Sequence, residues 1–397
     1  MGKLSSRASL LTESQTLFMS KKSRELKQKG IDVINLSLGE PDFNTPQHIK
    51  DAGKKAIDDN FSYYPPVAGF LDLREAISKK FKKENNLDYA ADQIVVSTGA
   101  KQSITNLILA LIDKGDEVIL PSPYWVSYIE VIKLAEGVPV IIPTEINTNF
   151  KVTPEQLRKA ITPKTKMLVY SSPCNPTGTV YTKEELSALA EVLAKHEHVY
   201  ILSDEIYEHI TFNGKHETIA QFDAIKDRVA IVNGVSKSFA MTGWRIGYIG
   251  APKWMADACE KMQGQITSGA CSIAQRAALE ALTTDIGPTL KMKEAFQKRR
   301  DMLVKLMREI PGVITNVPDG AFYLFPDVSS YFGKSDGTTV ISDAAALSMY
   351  LLDKAHVSLV TGGAFGDPRC IRISYATSEK NLQEAMRRIK EALALLK

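Results

Sequence analysis

The strongest constraint on the fold is the way that short β-branched runs alternate with helical patterns from Gln93 onward. Between two of these runs, residues 102–112 place Ile104, Leu107 and Leu111 on one face, at the spacing of an amphipathic helix. Strands separated by helices predict a largely parallel sheet covered by helices on both faces, which is an α/β fold. The predicted strands are 93–98, 117–120, 138–143, 166–170, 200–203 and 229–233.

The C-terminal part of the chain follows a different pattern and predicts a smaller α+β domain. Charged helical patterns span 291–308 and 379–396, and hairpin-like runs lie between them at 321–325 and 369–375. A strand predicted at 33–38 is expected to join this smaller domain. The predicted division is an N-terminal arm with the first part of the small domain at 1–45, a large domain at 46–290 and a small domain at 291–397.

Composition narrows the functional classes. The 397 residues include 49 basic and 46 acidic ones, a formal charge of +3 that gives no reason to expect a nucleic-acid or membrane partner. No run has the length of a transmembrane span or the order of a secretory signal. The first six residues, MGKLSS, match the N-myristoylation pattern, which is loose enough to match often by accident.

The cysteines are scattered along the chain without the spacing of a metal site or of a disulfide framework. We therefore expect free thiols, no bound metal and a cytoplasmic protein. The four cysteines are Cys174, Cys259, Cys271 and Cys370.

Lys237 lies in the most informative motif of the chain, GVSKSFAMTGWRIG at residues 234–247. A lysine amine can condense with an aldehyde to form a Schiff base, and the fork of Arg245, eight positions on, can hold a phosphate dianion. Pyridoxal phosphate carries both groups. The motif resembles the lysine-attachment motif of class I pyridoxal-phosphate aminotransferases, and further matches extend from Gly39 to Arg372, over nearly the whole chain.

The resemblance is greatest to the bacterial aspartate aminotransferases, a subgroup in which some members also accept prephenate. It implies the fold-type I architecture, in which a large domain with a mostly parallel, helix-flanked sheet carries the cofactor beside a smaller α+β domain. It also implies pyridoxal 5′-phosphate as cofactor, amino acids and 2-oxo acids as substrates, and a homodimer with shared active sites.

Four residues match family positions that surround the cofactor ring. Asp204 ends an apolar strand, and the matching aspartate pairs with the protonated ring nitrogen, so that the ring can accept electrons. Tyr207 and Asn175, the latter in an Asn-Pro-Thr-Gly turn, are expected to donate hydrogen bonds to the phenolic oxygen of the ring. Trp125 matches the position whose aromatic ring stacks on the pyridine face.

The resemblance places the cofactor phosphate at the start of the helix that follows the predicted strand 93–98. Free N–H groups and the helix dipole suit an anion there. Arg245 adds positive charge, and Tyr64 matches a tyrosine that reaches the same phosphate across a dimer interface. Gly234 is a departure, since many relatives carry a phosphate-binding serine there, and it puts cofactor affinity in doubt. The helix start that is expected to bind the phosphate consists of Gly99, Ala100 and Lys101.

At the substrate end, Arg372 matches the family arginine that clamps the α-carboxylate. An arginine between two isoleucines of a strand is costly to bury unless it meets an anion. Gly39, Trp125 and Asn175 are expected to face the substrate as well. Lys101 is either a solvated lysine beside the phosphate or the partner of the distal carboxylate of aspartate or glutamate, and the second interpretation is favoured.

The resemblance thus implies transamination between L-aspartate and 2-oxoglutarate, which gives oxaloacetate and L-glutamate. Lys237, Asp204 and Tyr207 are the expected catalytic residues, with the Lys237 amine as the general base at Cα. Aromatic, prephenate or alanine specificity stays open, although Thr12 stands where some prephenate-accepting relatives carry a basic residue. A carbon–sulfur lyase on the same scaffold also stays open. A regulatory module would need a basic winged-helix segment before Gly39, and the N-terminal stretch is too short for one.

Overall fold

The computed structural model describes residues 4–397, so residues 1–3 of the N-myristoylation pattern lie outside the described part. The helices are α1 Ser6–Leu10, α2 Gln15–Gln28, α3 Gln47–Asp58, α4 Leu71–Lys80, α5 Ala100–Leu111, α6 Ser127–Leu134, α7 Pro154–Ala160, α8 Lys183–Leu193, α9 Lys253–Ile266, α10 Ser272–Thr283, α11 Gly287–Arg308, α12 Ala344–Lys354 and α13 Glu379–Ala394. The strands are β1 Ile34–Asn35, β2 Ile94–Thr98, β3 Glu117–Ser122, β4 Val138–Pro143, β5 Thr165–Ser171, β6 Tyr200–Asp204, β7 Val229–Gly234, β8 Ile246–Gly250, β9 Tyr323–Leu324, β10 Val357–Ser358, β11 Val360–Thr361 and β12 Ile371–Ser374.

The centre of the molecule is a seven-stranded sheet with the order β2-β8-β7-β6-β5-β3-β4. The strands from β7 to β4 pair in parallel, whereas β8 runs antiparallel to both of its neighbours. Successive residues of β6, Ile201 and Leu202, are both fully buried on opposite faces of the sheet. This burial on both faces explains the near-continuous apolar runs of the sequence and confirms the predicted α/β fold.

Two apolar clusters cover the two faces of this sheet. Ile201 and Ile231 pack with Leu189 of α8 in one cluster. The neighbouring Leu202 packs with Leu107 of α5 in the other cluster. Because the helices lie on both sides, only the strand ends are free to carry a site.

Strand β8 was not predicted from the sequence. It contains Gly247 and Gly250, which interrupt the apolar pattern that identifies the other strands. A Cβ on Gly247 would collide with the backbone of Gly99 and Ala100. The glycine therefore allows β8 to lie directly against the start of α5, where the sequence places an anion site.

The C-terminal part forms a smaller sheet with the order β11-β12-β9, in which neighbouring strands are antiparallel. β1 pairs in parallel with β10, and Ile34 lies opposite Val357. Ile34 also belongs to an apolar cluster that includes Phe296 and Ile389 from the C-terminal helices. The predicted division into an arm, a large domain and a small domain stays a proposal, and its second boundary falls within α11.

None of the helices in residues 4–397 combines the length and the apolar character that crossing a membrane requires. The longest helix, α11, has 22 residues. Charged side chains such as Lys291 and Lys305 alternate in it with buried ones such as Leu303, which is the pattern of a helix lying on a core.

Candidate active site

A cavity of about 250 Å³ opens beyond the carboxyl ends of the parallel strands, which is where sheets of this kind bind ligands. β6 ends at Asp204, and the segments that follow β5 and β7 bring Asn175 and Lys237 to the same place. The C-terminal sheet contributes Arg372. The predicted site residues that line the cavity are Gly39, Ala100, Lys101, Trp125, Asn175, Asp204, Tyr207, Lys237, Arg245 and Arg372.

Lys237 lies in the turn after β7. Its Nζ donates a 2.5 Å hydrogen bond to the carbonyl oxygen of Gly39 and lies 5.7 Å from the centroid of the Tyr207 ring. Burial lowers the pKa of Lys237 to about 8, and the charges of Arg372 and Arg245 act in the same direction. A lysine with this pKa is partly neutral near physiological pH, and the neutral amine is the form that attacks a carbonyl or accepts a proton.

Asp204 is 5% exposed at the end of β6. Its Oδ2 accepts a 2.6 Å hydrogen bond from the Tyr128 hydroxyl, and its Oδ1 accepts a 3.2 Å bond from the backbone N–H of Ile206. Burial raises the pKa of Asp204 to about 6 in spite of these two hydrogen bonds. Within residues 4–397, no lysine, arginine or histidine nitrogen lies within 4.0 Å of this carboxylate. A cationic ligand would therefore stabilise it.

Tyr207 and Tyr323 form a buried pair, with their hydroxyl oxygens 2.6 Å apart. Burial raises the pKa of each tyrosine, so both hydroxyls keep their protons at neutral pH. Only one of the two can donate to the other. The second proton is left to donate to an oxygen of a ligand, as expected for a contact with a phenolic oxygen.

Arg372 is 2% exposed and has no acidic partner within the described chain. Its Nη1 donates a 2.9 Å hydrogen bond to Oδ1 of Asn175, and its Nη2 donates to the carbonyl oxygen of Ser37. Nε is buried and has no hydrogen-bond partner among the described residues. Burial lowers the pKa of Arg372. A buried guanidinium with unused donor capacity fits an anionic ligand.

The contact with Arg372 also determines how Asn175 can bind a ligand. Because its Oδ1 accepts from the guanidinium, its amide nitrogen is left as the donor. Two aromatic rings flank the guanidinium, with centroids 4.6 Å away for Tyr323 and 4.9 Å away for Phe365. These contacts hold the planar fork in one orientation.

The start of α5 and Arg245 form the second charged end of the cavity. Gly99 precedes the helix with φ at 80°, and a Cβ on it would collide with the Arg245 guanidinium. Gly99 itself thus lies behind the cavity wall and allows Arg245 to approach the helix start. Nη1 of Arg245 donates a 2.9 Å hydrogen bond to the carbonyl oxygen of Thr242. Free N–H groups and a guanidinium in one place form an anion site.

The structure gives a physical reason for Gly234, which departs from the family pattern. A Cβ on Gly234 would lie 2.8 Å from the carbonyl oxygen of Ile246 and 2.9 Å from Cα of Gly247. The backbones of β7 and β8 are therefore too close for a serine in the present arrangement. The anion site has to be formed without a hydroxyl at this position.

Lys101 and Trp125 lie side by side at the edge of the cavity, with Nζ of Lys101 5.0 Å from the Trp125 ring centroid. Trp125 in turn packs edge to face on Tyr128, with ring centroids 5.4 Å apart. Partial desolvation at the cavity edge and the charge of Arg245 lower the pKa of Lys101. No carboxylate of the described chain lies within 4.0 Å of its amine, so Lys101 is available to a second anion.

Residues 31–389 match the family described as aminotransferase class I and II. This chain belongs to that aminotransferase family. It is 49% identical, over 99% of its length and 83% of the relative's, to the bifunctional aspartate aminotransferase and glutamate/aspartate-prephenate aminotransferase of Petunia hybrida. The aspartate aminotransferase structure from Rhizobium meliloti has a TM-score of 0.96 and 42% identity over 100% of both chains. That from Thermus thermophilus with maleate has a TM-score of 0.93 and 40% identity over 99% of this chain and 100% of that one.

These comparisons confirm the family and the fold that were predicted for this aminotransferase from its sequence. Apart from Gly99, which lies behind the cavity wall, one predicted cofactor residue lies away from the cavity. The side chain of Tyr64 is 92% exposed, and that of its neighbour Tyr63 is 83% exposed. A contact between Tyr64 and the phosphate in a second subunit is not tested by a single chain and stays a prediction.

Several residues of the aminotransferase cavity were not predicted. Tyr128 could have been found, because it follows Trp125 by three positions in the turn that leads into α6, and this spacing brings the two side chains together. Tyr323 lies in the predicted hairpin run at 321–325, but nothing in the pattern indicates that it meets Tyr207. Ser14, Thr16 and Leu17 of the N-terminal arm, together with Ser236, also line the cavity.

Proposed function

We propose that this aminotransferase transfers the amino group between L-aspartate and 2-oxoglutarate and so produces oxaloacetate and L-glutamate. The observation that carries the proposal is a buried Arg372 guanidinium without an acidic partner among the described residues, in the same cavity as the Lys237 amine. Lys101 adds a second cation for a second carboxylate. Similar proteins are named aspartate aminotransferases, and one of them is described with maleate, which is a four-carbon dicarboxylate.

Pyridoxal 5′-phosphate is the cofactor that we propose, because the donor set of the cavity fits its groups. The start of α5 and Arg245 suit the phosphate, the Asp204 carboxylate suits a protonated ring nitrogen, and Trp125 offers a ring face. The paired hydroxyl groups of Tyr207 and Tyr323 suit the phenolic oxygen of the cofactor ring. When bound, this group supplies an aldehyde for the Lys237 amine and a ring that accepts the electrons of the broken Cα–H bond.

Separate residues of the chain bind the substrate, transfer the proton and stabilise charge. Arg372 binds the α-carboxylate with its planar fork and so fixes the direction of the Cα–H bond. Lys237 moves the proton at Cα, and the carbonyl oxygen of Gly39 holds its amine in place. Asp204 holds positive charge at the ring nitrogen, while Lys101 selects a substrate with a distal carboxylate.

A homodimer with shared sites is part of the proposal. Tyr64 and Tyr63 are exposed large aromatic side chains, and such residues are enriched at protein interfaces. In this arrangement Tyr64 of the partner subunit donates a hydrogen bond to the cofactor phosphate. Sedimentation of the active enzyme tests the assembly, and a fully active monomer would contradict it. A cytoplasmic location is proposed on the cysteine pattern alone.

Prephenate is the second candidate substrate, because the Petunia relative is named for both activities. Prephenate also carries two carboxylates, so Arg372 and Lys101 could serve it in the same way. Ser14 and Thr16 also line the cavity, and their side chains offer hydroxyl groups to a larger substrate. Thr12, which stands where some relatives are basic, donates hydrogen bonds of 2.8 and 3.0 Å to the carboxylate of Glu130.

The decisive experiment is a panel of substrates assayed with the purified enzyme and pyridoxal 5′-phosphate. We expect the highest kcat/KM for aspartate with 2-oxoglutarate, and a measurable rate for prephenate with glutamate or aspartate as donor. Alanine and phenylalanine as the best donors would contradict the dicarboxylate assignment. Pyruvate and ammonia formed without an oxo-acid acceptor would instead identify a carbon–sulfur lyase.

A further inference from the structure

Each of the three predicted catalytic residues is directly followed by a residue that points away from the cavity into one buried polar network. Asp204 is followed by Glu205 and Tyr207 by Glu208, and both glutamates are buried. Lys237 is followed by Ser238, which contacts His209. We call these side chains the buried network: Lys80, Glu84, Asn85, Ser203, Glu205, Glu208, His209, His216, Thr218, Asn233 and Ser238.

The Glu208 half of the buried network is closed by a permanent cation. Lys80, which is 4% exposed, forms an ion pair with Glu208 and donates a 2.9 Å hydrogen bond to Asn85. The amide groups of Asn85 and Asn233 donate to the two oxygens of Glu208 at 3.2 and 2.8 Å. Burial by itself raises a carboxyl pKa, but Lys80 and the two nearby histidines lower the pKa of Glu208 to about 2.

The Glu205 half has a different kind of partner. Its Oε1 accepts hydrogen bonds from Thr218 at 2.6 Å and Ser203 at 2.9 Å, and its Oε2 lies 2.9 Å from Nε2 of His216. Glu205 is 1% exposed and His216 is 9% exposed. Within residues 4–397, His216 is the sole group that can place a positive charge within 4.0 Å of Glu205.

We propose that Glu205 and His216 are positioning residues for Asp204: a protonated His216 neutralises Glu205, and the Asp204 carboxylate next to it stays ionised for the cofactor's ring nitrogen. This inference rests on the proposed function. Asp204 and Glu205 are neighbours in the chain and are both buried, with their side chains on opposite sides of the strand end. Little water separates the two carboxylates, so an unbalanced charge on one makes the other bind its proton more tightly.

The electrostatics of both residues agree with this geometry. Burial raises the pKa of Asp204, and the charge of Glu205 raises it further. Burial by itself lowers the pKa of His216, but the charge and hydrogen bond of Glu205 raise it above the ordinary histidine value. Stability of the pair is therefore fully present below the ordinary histidine pKa and is lost as the pH rises through the raised one.

Other titratable groups face this pair from the surrounding elements. Lys80 belongs to α4 and Glu84 to the turn after it, while Glu208 and His209 follow β6. Burial raises the pKa of each facing tyrosine, so these tyrosines stay neutral in the pH range of interest. The facing tyrosines are Tyr89, Tyr170 and Tyr248.

The test uses three variants of the full chain, H216Q, E205Q and the double variant E205Q/H216Q. Glutamine can keep the hydrogen bond to position 205 but carries no charge. The dissociation constant of pyridoxal 5′-phosphate is measured between about pH 6 and pH 9, with the ¹⁵N chemical shift of the ring nitrogen in the bound, labelled cofactor. Lys215→Gln, an exposed change directly before His216, is the matched control.

We expect H216Q to bind the cofactor more weakly, by about twofold at pH 7 and about fivefold at pH 6, if the pKa of Asp204 rises by about one unit from its value of about 6. Its ring-nitrogen resonance should move towards that of the unprotonated ring. Adding E205Q should restore both quantities to near the wild-type values, because it removes the unbalanced carboxylate. K215Q should resemble the wild type.

An unchanged dissociation constant and resonance in H216Q would overturn the inference, as would a double variant that is worse than H216Q. If H216Q does not fold, E205Q decides, since the inference requires it to bind the cofactor at least as well as the wild type. Wild-type protein that binds no pyridoxal 5′-phosphate would instead overturn the proposed function. The two failures are thus distinguishable.

Discussion

Two groups of buried charges lie on opposite sides of the strand end at Asp204, and they are satisfied to different degrees. In the cavity, Nε of Arg372 is buried and has no hydrogen-bond partner among the described residues. The Asp204 carboxylate has no cationic partner within the described residues. Behind the cavity, the glutamate Glu208 has an ammonium and two amide donors on its oxygens. The cavity side is arranged for a ligand, whereas on the rear side both oxygens of Glu208 are paired and Nδ1 of His216 is the buried atom without a partner.

This difference has an energetic meaning. A buried charge with incomplete partners destabilises the free protein, and the ligand that completes it gains the corresponding binding energy. A buried charge whose hydrogen-bond and ion-pair partners are all present adds no binding energy for a ligand. It instead holds the backbone segment that carries it in place. Changes in the cavity should therefore reduce activity and can increase stability, whereas changes at the rear should reduce stability first.

The largest effect is expected for Lys237→Ala on the cavity side. Removal of the amine should reduce kcat/KM for aspartate by roughly four orders of magnitude or more, because both covalent attachment and proton transfer lose their group. Activity assays check this, together with the visible absorbance after addition of pyridoxal 5′-phosphate. The exposed variant Lys253→Ala is the control. Colour that borohydride still fixes to K237A would show that the attachment site is elsewhere.

The rear side is best tested with Lys80→Met, which removes the cation from Glu208 at similar volume. A buried carboxylate without its partner should reduce the free energy of unfolding by about 3–5 kcal/mol, as measured by urea denaturation. Lys82→Met is the matched control, because Lys82 pairs with Asp88 at the surface and such pairs contribute under about 1 kcal/mol. Equal losses for both variants would contradict a closed, stabilising rear network.

The contribution of the Glu208 carboxylate to the free energy of unfolding should also depend on pH, and urea denaturation at low pH measures this dependence. The pKa of Glu208 is about 2 in the folded protein, below its ordinary value of 4.5. Its stabilising contribution is therefore present above the ordinary value and is lost as the pH falls towards 2. The stability difference between the wild type and K80M should narrow over this range.

Asp204→Asn should separate stability from function. The pKa of Asp204 is raised from 3.8 to about 6, so ionisation of this carboxyl destabilises the cofactor-free protein as the pH rises through that interval. The asparagine variant should be more stable by about 3 kcal/mol at pH 7, and the gain should disappear below about pH 4. Its affinity for pyridoxal 5′-phosphate should fall. Thermal melting of the cofactor-free protein measures the gain, and a less stable variant at pH 7 would contradict it.

The two regions also differ in how far they follow from the sequence. Asp204 and Lys237 were predicted because their motifs resemble those of the aminotransferase family, and the structure brings them together at the carboxyl ends of the neighbouring parallel strands β6 and β7. The parallel strands themselves were predictable, since burial on both faces requires long apolar runs. β8 was missed because Gly247 and Gly250 break such a run.

The rear network could not be predicted in the same way. Lys80 and Glu208 are far apart in the chain and each resembles an ordinary solvated charge of a surface helix or turn. Only tertiary packing brings them together. Tyr323 was missed for the same reason, because its contact with Tyr207 joins the C-terminal sheet to the segment after β6. Sequence patterns reveal which face is buried, but not which distant partner it meets.

The smallest expected effect concerns Lys101, and it decides between the two interpretations of this residue. If Lys101 binds the distal carboxylate, Lys101→Ala should reduce the preference for aspartate over alanine about tenfold, as expected for one hydrogen bond to a charged group. Binding of pyridoxal 5′-phosphate should change little, because Arg245 and the start of α5 remain. Lys114→Ala, beyond the other end of α5, is the control. Intact selectivity with weaker cofactor binding would instead show that Lys101 acts on the phosphate, so that the second cation of the cavity belongs to the cofactor and not to the substrate.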